Sequence, residues 1–210
     1  MSFVPTIERI SADEVGEIPG LEGLIEYWAE SPRSPESWFR KVGECWGSAG
    51  LAMRRSGEVL GFALYGPPEY LPRAGRCAVG PLDAEAVLLA YLEGDSRTRR
   101  HLLARVLKEV RHQGIERVEA VSSDVGQPHH IPTGFLLESG WQPIRRGWYR
   151  GRPYTLMQAD LGSTVEVGEL ARGLIGRVRL PKLKPVSPAP GAFVREERPS
   201  ERLIAEALRS

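Results

Sequence analysis

Four basic side chains, Arg97, Arg99, Arg100 and His101, crowd what reads as the first turn of a helix, directly after an apolar run ending Tyr91-Leu92-Glu93. Unpaired N–H groups already make that end of a helix positive, so each cation there costs a few tenths to about 1 kcal/mol. An anion among them would remove the cost. Guanidinium groups, joined by the Ser96 or Thr98 hydroxyl, grip phosphate oxygens through charge-assisted hydrogen bonds. The competing account leaves the arginines solvated and has Asp95 or Ser96 cap the helix. Glu93 closes the apolar run with a carboxylate suited to accepting a proton, and Tyr91, two residues earlier, is on the same side of a strand. A solvated strand-end glutamate and a tyrosine packed in the core are the structural alternatives.

Other chemistry-bearing residues carry less. His129 and His130 are adjacent, so an extended chain points them apart, and they hold no metal without further ligands; a polar loop accounts for them. Cys45 and Cys77 have neither metal-binding nor redox spacing and read as thiols of a reducing cytosol. The formal net charge of +1 gives no global attraction to nucleic acid or membrane. Trp148 and Tyr149 lie among Arg145, Arg146, Arg150 and Arg152, a wall for an anionic or aromatic ligand, yet no nucleic-acid recognition pattern surrounds them. The other tryptophans read as core. "MSFVPTIERISADEV" lacks the basic and apolar regions of a signal peptide, and no later run approaches the roughly 20 apolar residues that span a bilayer. A soluble, cytoplasmic chain is the expectation.

Hydrophobic periodicity supplies the elements that must position these residues. Leu21, Leu24, Ile25 and Trp28 share one face of a helix, and "ESWFRKVGECWG" gives a second that stops at Gly47. Two strands surround the turn "RSGE", and "PPEYLPR" is a connection. Ala84 to Glu93 is apolar without alternation, as in a central strand covered on both faces. A helix follows over about Thr98 to Gln113, with Leu102, Leu103, Val106, Leu107 and Val110 as its buried stripe and Gly114 at its end. "IERVEAVSS" is a strand, "QPHHIP" a loop and "TGFLLESG" a short helix. Gln142 to Arg150 and Tyr154 to Leu161 make a final strand pair. Helices alternating with strands after an N-terminal hairpin predict an α/β (α+β) fold, a mixed sheet with helices packed on it. Composition changes near residue 163. Residues 1–162 form one domain in this reading, and 163–210 a helix with a proline-rich basic tail.

This layout resembles the GNAT superfamily of acyl-CoA-dependent N-acyltransferases over roughly Phe3 to Leu161. The hairpin "GEVLGFALYGPPEYLP", the strand, turn and helix from Ala84 to Gln113, and "FLLESGWQPI" carry the likeness, with Gly140-Trp141 in place of the family's Gly-Phe. "LYGPPEYLPR" and "GFLLESGW" also resemble GNAT-like proteins of actinobacteria. The resemblance implies acetyl-CoA or another acyl-CoA as co-substrate, no metal, and a small-molecule amine or protein amino group as acceptor. It makes Leu92, Ser96, Arg97, Thr98, Arg99 and Arg100 the cofactor-binding residues and Glu93 and Tyr91 the catalytic candidates. The family's pyrophosphate turn, [QR]-x-x-G-x-[GA], matches Asp95 to Arg100 with departures. Thr98 and Arg100 stand where glycines are usual, and Asp95 where a basic or amide residue is usual. Leu136 occupies the place of the tyrosine that protonates the leaving thiolate in the family, with Tyr149 and Tyr154 as alternative phenols. A non-catalytic module that binds coenzyme A, another phosphate ligand or a protein partner through the tail is the other reading these departures allow.

Overall fold

The structure, a computed structural model, describes residues 4–30 and 32–162. The helix and the basic tail expected after residue 163 lie outside the described residues. The remainder is a mixed sheet of eight strands flanked by helices, in the order β1-β2-β3-β4-β5-β8-β7 with β6 beside β5. Strands β1 (Thr6–Arg9), β2 (Gly50–Arg55), β3 (Glu58–Gly66) and β4 (Val87–Leu92) pair antiparallel in succession. Strand β4 runs parallel to β5 (Arg117–Ser123), and so does the two-residue β6 (Ile131–Pro132). Strand β8 (Arg152–Asp160) pairs antiparallel with β5 and with the edge strand β7 (Gln142–Tyr149).

The two faces of the sheet take different helices. Helices α1 (Leu21–Ala29) and α2 (Pro35–Trp46) bury Leu24, Ile25, Trp28 and Phe39 against Leu64, Leu88, Val121 and Leu156. On the opposite face α4 (Ser96–His112) and α5 (Thr133–Glu138) bury Leu102, Leu103, Val106 and Leu136 against Leu89, Leu92, Val118 and Met157. Leu88 therefore serves one layer and its neighbour Leu89 the other, which is why β4 is apolar throughout. Each such aliphatic side chain, fully buried, contributes about 1.5–3 kcal/mol.

Several elements differ from expectation for physical reasons. Strand β4 begins at Val87 because Asp83 to Ala86 form a turn, closed by Ala86 N donating to Asp83 O at 3.1 Å and by Arg117 holding the Asp83 and Glu85 carboxylates. Helix α4 begins two residues early, at Ser96, because Asp95 Oδ1 accepts from Thr98 N at 2.7 Å. Strand β1 is exposed and has no apolar alternation, and its pairing with β2 defines it. A 3-10 turn at Pro68–Tyr70 occupies the proline-rich connection, a short α3 (Arg73–Arg76) begins at its last residue, and β6 lies within the segment expected to be loop. Strand β8 starts at Arg152 rather than Tyr154. Trp28, Trp38 and Trp141 are core, whereas Trp148 is 71% exposed at the open edge.

Strand β4 leaves β5 early. Their parallel pairing is confined to Val87 with Val118 and Leu88 with Glu119. On its other side β4 carries one extra residue, Ala90, between Leu89 (opposite Tyr65) and Tyr91 (opposite Leu64). A bulge of this kind bends its strand. Past Leu88 the two strands part, and Ile131 and Pro132 of β6 pair with Ser122 and Ser123 on the β5 side of the opening. Among the described residues no helix is long and apolar enough to cross a membrane.

Candidate active site at the parted strands

Two groups of polar side chains flank the opening. The first, at the end of β4, joins Tyr91, Glu93 and Arg99. The Glu93 carboxylate lies beside the Tyr91 phenol, and burial, followed by that carboxylate, raises the phenol above its usual pKa while the Arg99 charge opposes them. Glu93 Oε1 also accepts from Gly94 N at 3.1 Å. Arg99 Nε is buried with no hydrogen-bond partner among the described residues. Glu93 N donates to Phe62 O of β3 at 2.8 Å, so strand alternation turns the Leu92 N–H to the other edge of β4, where β5 has diverged. The Leu92 side chain is buried in the α4 layer.

The three arginines of the α4 turn take three different partners. Arg97 is exposed and its charge lies near Asp95; Arg99 lies near Tyr91; Arg100 Nη2 is 3.6 Å from Glu138 Oε2 of α5. Ser96 is exposed at the first helical position. The hydrogen bond from Thr98 N, before all other causes, lowers the Asp95 carboxyl below the usual range, so Asp95 presents an anion to the helix start. Thr98 is buried and turns its methyl inward. A Cβ on Gly94, whose φ is +118°, would meet Thr98 Cγ2 at 2.7 Å, and one on Gly61 would collide with Glu93 O. The glycines that this turn needs are therefore Gly61 and Gly94, beneath it, and Thr98 fills the space against them. Leu136, at the position of the family tyrosine, is fully buried among the α4 side chains.

The second group was not assembled by sequence reasoning. His130 is 4% exposed, and its ring sits between α1 and β5. Nδ1 lies 3.0 Å from Val121 O, which can only accept, so Nδ1 carries the proton and Nε2 accepts from the Tyr27 hydroxyl at 2.9 Å. Burial, ahead of the nearby His129 and Arg73 charges, lowers the His130 pKa below 6.5 and keeps the ring neutral near pH 7. The Tyr27 ring lies between the Arg73 guanidinium, 4.2 Å from its centroid, and the His129 ring at 4.7 Å. Arg73 Nε also donates to Tyr27 O. Trp28 Nε1 donates to His129 O at 3.2 Å and fixes the loop from the core side.

These side chains open onto a pocket of about 210 Å³. Tyr27 and Glu30 bound it from α1 and the residue after it, Arg73, Arg76 and Cys77 from α3 and the residue after it, and Tyr149 and Tyr154 from the β7–β8 hairpin beside His130. Gly147 makes that closure possible, since a Cβ there would meet Ala78 O at 2.6 Å. Glu30 and His129, beside the pocket, hold left-handed backbone with φ of 56° and 65°. Such conformations cost about 1–3 kcal/mol each and persist where surrounding structure enforces them. Burial pushes the Cys77 thiol up to about 11, so it is no nucleophile at neutral pH. The sequence signals for this site were the adjacent histidine pair and the phenols Tyr149 and Tyr154 of the final strand pair. Tyr27, the partner of His130, read simply as a residue of a periodic helix.

No protein-family model matches the sequence, and no curated protein matches it. Solved structures do match its fold. An N-acetyltransferase from Staphylococcus aureus Mu50 is similar at a TM-score of 0.53 and 13% identity, over 75% of this chain and 99% of that one. A ribosomal-protein-alanine N-acetyltransferase from Brucella melitensis gives 0.53 and 18%, over 74% and 99%. An acetyltransferase of the GNAT family from Streptococcus pneumoniae gives 0.50 and 12%, over 76% and 100%. The chain has the GNAT fold.

Proposed function

With that fold as premise, we propose that the protein transfers an acyl group from an acyl-CoA thioester to an amine. One observation carries the reading: β4 parts from β5 after Leu88 and turns main-chain N–H groups toward an opening instead of a neighbouring strand. A donor held there, such as the Leu92 N–H, suits the oxygen of an acyl group, whose negative charge grows as the carbonyl carbon is attacked. The thioester supplies the activated acyl group. Glu93 is a proton acceptor at the strand end, with the Tyr91 phenol beside it. Arg99 is the guanidinium suited to phosphate, because its buried Nε has no partner among the described residues.

A second reading has one specific support. Asp95 already occupies the start of α4 with a carboxylate, and Thr98 fills space beside it. A chain that keeps the fold but binds no pyrophosphate at this turn accounts for both. Thermal unfolding with acetyl-CoA, CoA and ATP separates the readings. Acetyl-CoA and CoA raise the melting temperature if the first holds, Arg99→Ala reduces the rise, and ATP is weaker. A flat response at millimolar CoA and acetyl-CoA overturns it.

A further inference from the structure

The pocket under Tyr27 and His130 lies beside the opening. His130 immediately precedes β6, which borders the gap between β4 and β5, and its Nδ1 is bonded to Val121 just beyond the last β4–β5 pair. Tyr27 and Tyr91 both pack against the same apolar layer, on the α1–α2 side of the sheet. A molecule in the pocket therefore stands on one face of the sheet, on the side of the gap between β4 and β5.

The pocket is electrostatically one-sided. Glu30 is its only carboxylate among the described residues, and Glu30 Oε2 is 2.7 Å from Arg76 Nη1. Arg73 has no carboxylate partner among the described residues; its contacts are the Tyr27 carbonyl and ring. Cys77 and His130 are uncharged near pH 7. Arg73 thus remains an uncompensated cation beside a neutral hydrogen-bond chain, which runs from the Tyr27 hydroxyl to His130 Nε2 and from Nδ1–H to the Val121 carbonyl.

We propose that this pocket holds a small amine bearing a carboxylate or phosphate group, with Arg73 taking the anion and Tyr27, backed by His130, taking the proton the amine loses. The proposal rests on the acyl-transfer reading for its chemistry but not for its binding. In the step, the amine nitrogen bonds to the thioester carbonyl carbon and the C–S bond breaks, its electron pair leaving on the coenzyme's sulfur. Tyr27 here takes the role given above to Glu93: one N–H proton passes to the Tyr27 oxygen as the phenol proton moves to His130 Nε2. The proton then returns through the phenol to solvent or the thiolate, so the products are an amide and a thiol. The Nδ1–H bond to Val121 holds Nε2 ready to accept, so His130 is a positioning residue acting through Tyr27.

The test uses the full chain and matched probes: glycine against glycinamide, phosphoethanolamine against ethanolamine, and agmatine as a cationic amine. Calorimetric binding without acyl-CoA is expected to favour the anion-bearing member of each pair at least tenfold, with Arg73→Gln abolishing the preference and Arg73→Lys retaining part of it. The two anionic probes distinguish carboxylate from phosphate. Turnover with acetyl-CoA is expected to fall at least 100-fold in Tyr27→Phe with KM within a few-fold of wild type. His130→Gln is expected to lose the acidic limb of the kcat/KM profile, which a merely structural role would leave in place. Equal binding within the pairs, preference for agmatine, or an unaltered pH profile in His130→Gln overturns the proposal. Arg73-dependent binding of an anionic amine without turnover or any acetyl-CoA effect sinks the acyl-transfer reading and the proton role, and keeps the anion site.

Discussion

The Tyr27 hydroxyl and His130 Nε2 are 2.9 Å apart across 103 positions of sequence, and each supplies what the other lacks: a donor for a neutral imidazole, and an acceptor for a half-buried phenol. Burial raises the phenol's pKa and lowers the imidazole's, so both shifts favour the uncharged pair. This mutual satisfaction keeps a histidine in an otherwise apolar layer formed by Trp28, Val121 and Tyr154.

Stability follows pH in a definite direction. His130 and His129 both have folded pKa values below 6.5, mainly through burial. As pH falls through 6.5 the unfolded chain takes up their protons first, so stability is full above that pH and declines below it. Tyr27 of α1 and Glu30 just after it, Arg73 and Arg76 of α3 and Cys77 just after it, Tyr149 of β7 and Tyr154 of β8 are the titratable and charged groups around them among the described residues, and the one carboxylate is committed to Arg76. The melting temperature is expected to drop between pH 7.5 and 5.5, with a shallower slope in His130→Gln. A wild-type melting temperature flat across that range contradicts this account.

Gly61 and Gly23 form a contrasting pair. A methyl group at Gly61 drives into Glu93 O and Thr98, so Gly61→Ala is expected to cost about 1–3 kcal/mol in denaturant unfolding. Gly23 lies within α1 with nothing near its hypothetical Cβ, and Gly23→Ala is expected to stabilise by about 0.5–1 kcal/mol.

At the start of α4, charge and capping can be separated. Asp95→Asn keeps an acceptor for Thr98 N while removing the carboxylate charge that opposes an incoming phosphate. CoA binding measured by calorimetry is expected to tighten severalfold. Weaker or unchanged binding would place the phosphates elsewhere.

Arg100 and Arg99 are adjacent and unequal. The Arg100 pair with Glu138 is exposed and 3.6 Å long, so Arg100→Ala is expected to change stability by less than about 0.5 kcal/mol. Arg99→Ala is expected to remove most of any CoA-induced thermal shift, because Arg99 rather than Arg100 flanks Tyr91 and Glu93.

Much of the fold was legible because its signals are local. The stripe from Leu102 to Val110 defines α4, and the mixed apolar run of β4 announces a strand covered on both faces. Strand β1 was not legible, since Thr6 to Arg9 owe their extended state to Leu51 through Arg54 on β2. The opening between β4 and β5 was likewise invisible, depending on one extra residue in register, Ala90. For the site, sequence picked out Tyr91, Glu93 and the arginines near the end of β4. It could not pair Tyr27 with His130 or see Arg73 lying over the Tyr27 ring, because three separate elements meet there.

Strand β7 borders the sheet with almost every residue exposed, and Ile144, Trp148 and Tyr149 add apolar surface along it. A free strand margin of this kind invites a second chain to zip on. Here the register breaks around Ile144, while Arg145 is tied back to the carbonyls of Gly80 and Pro81. That kink and tether act as a selvedge, interrupting the straight run of backbone along which another strand would have to lie.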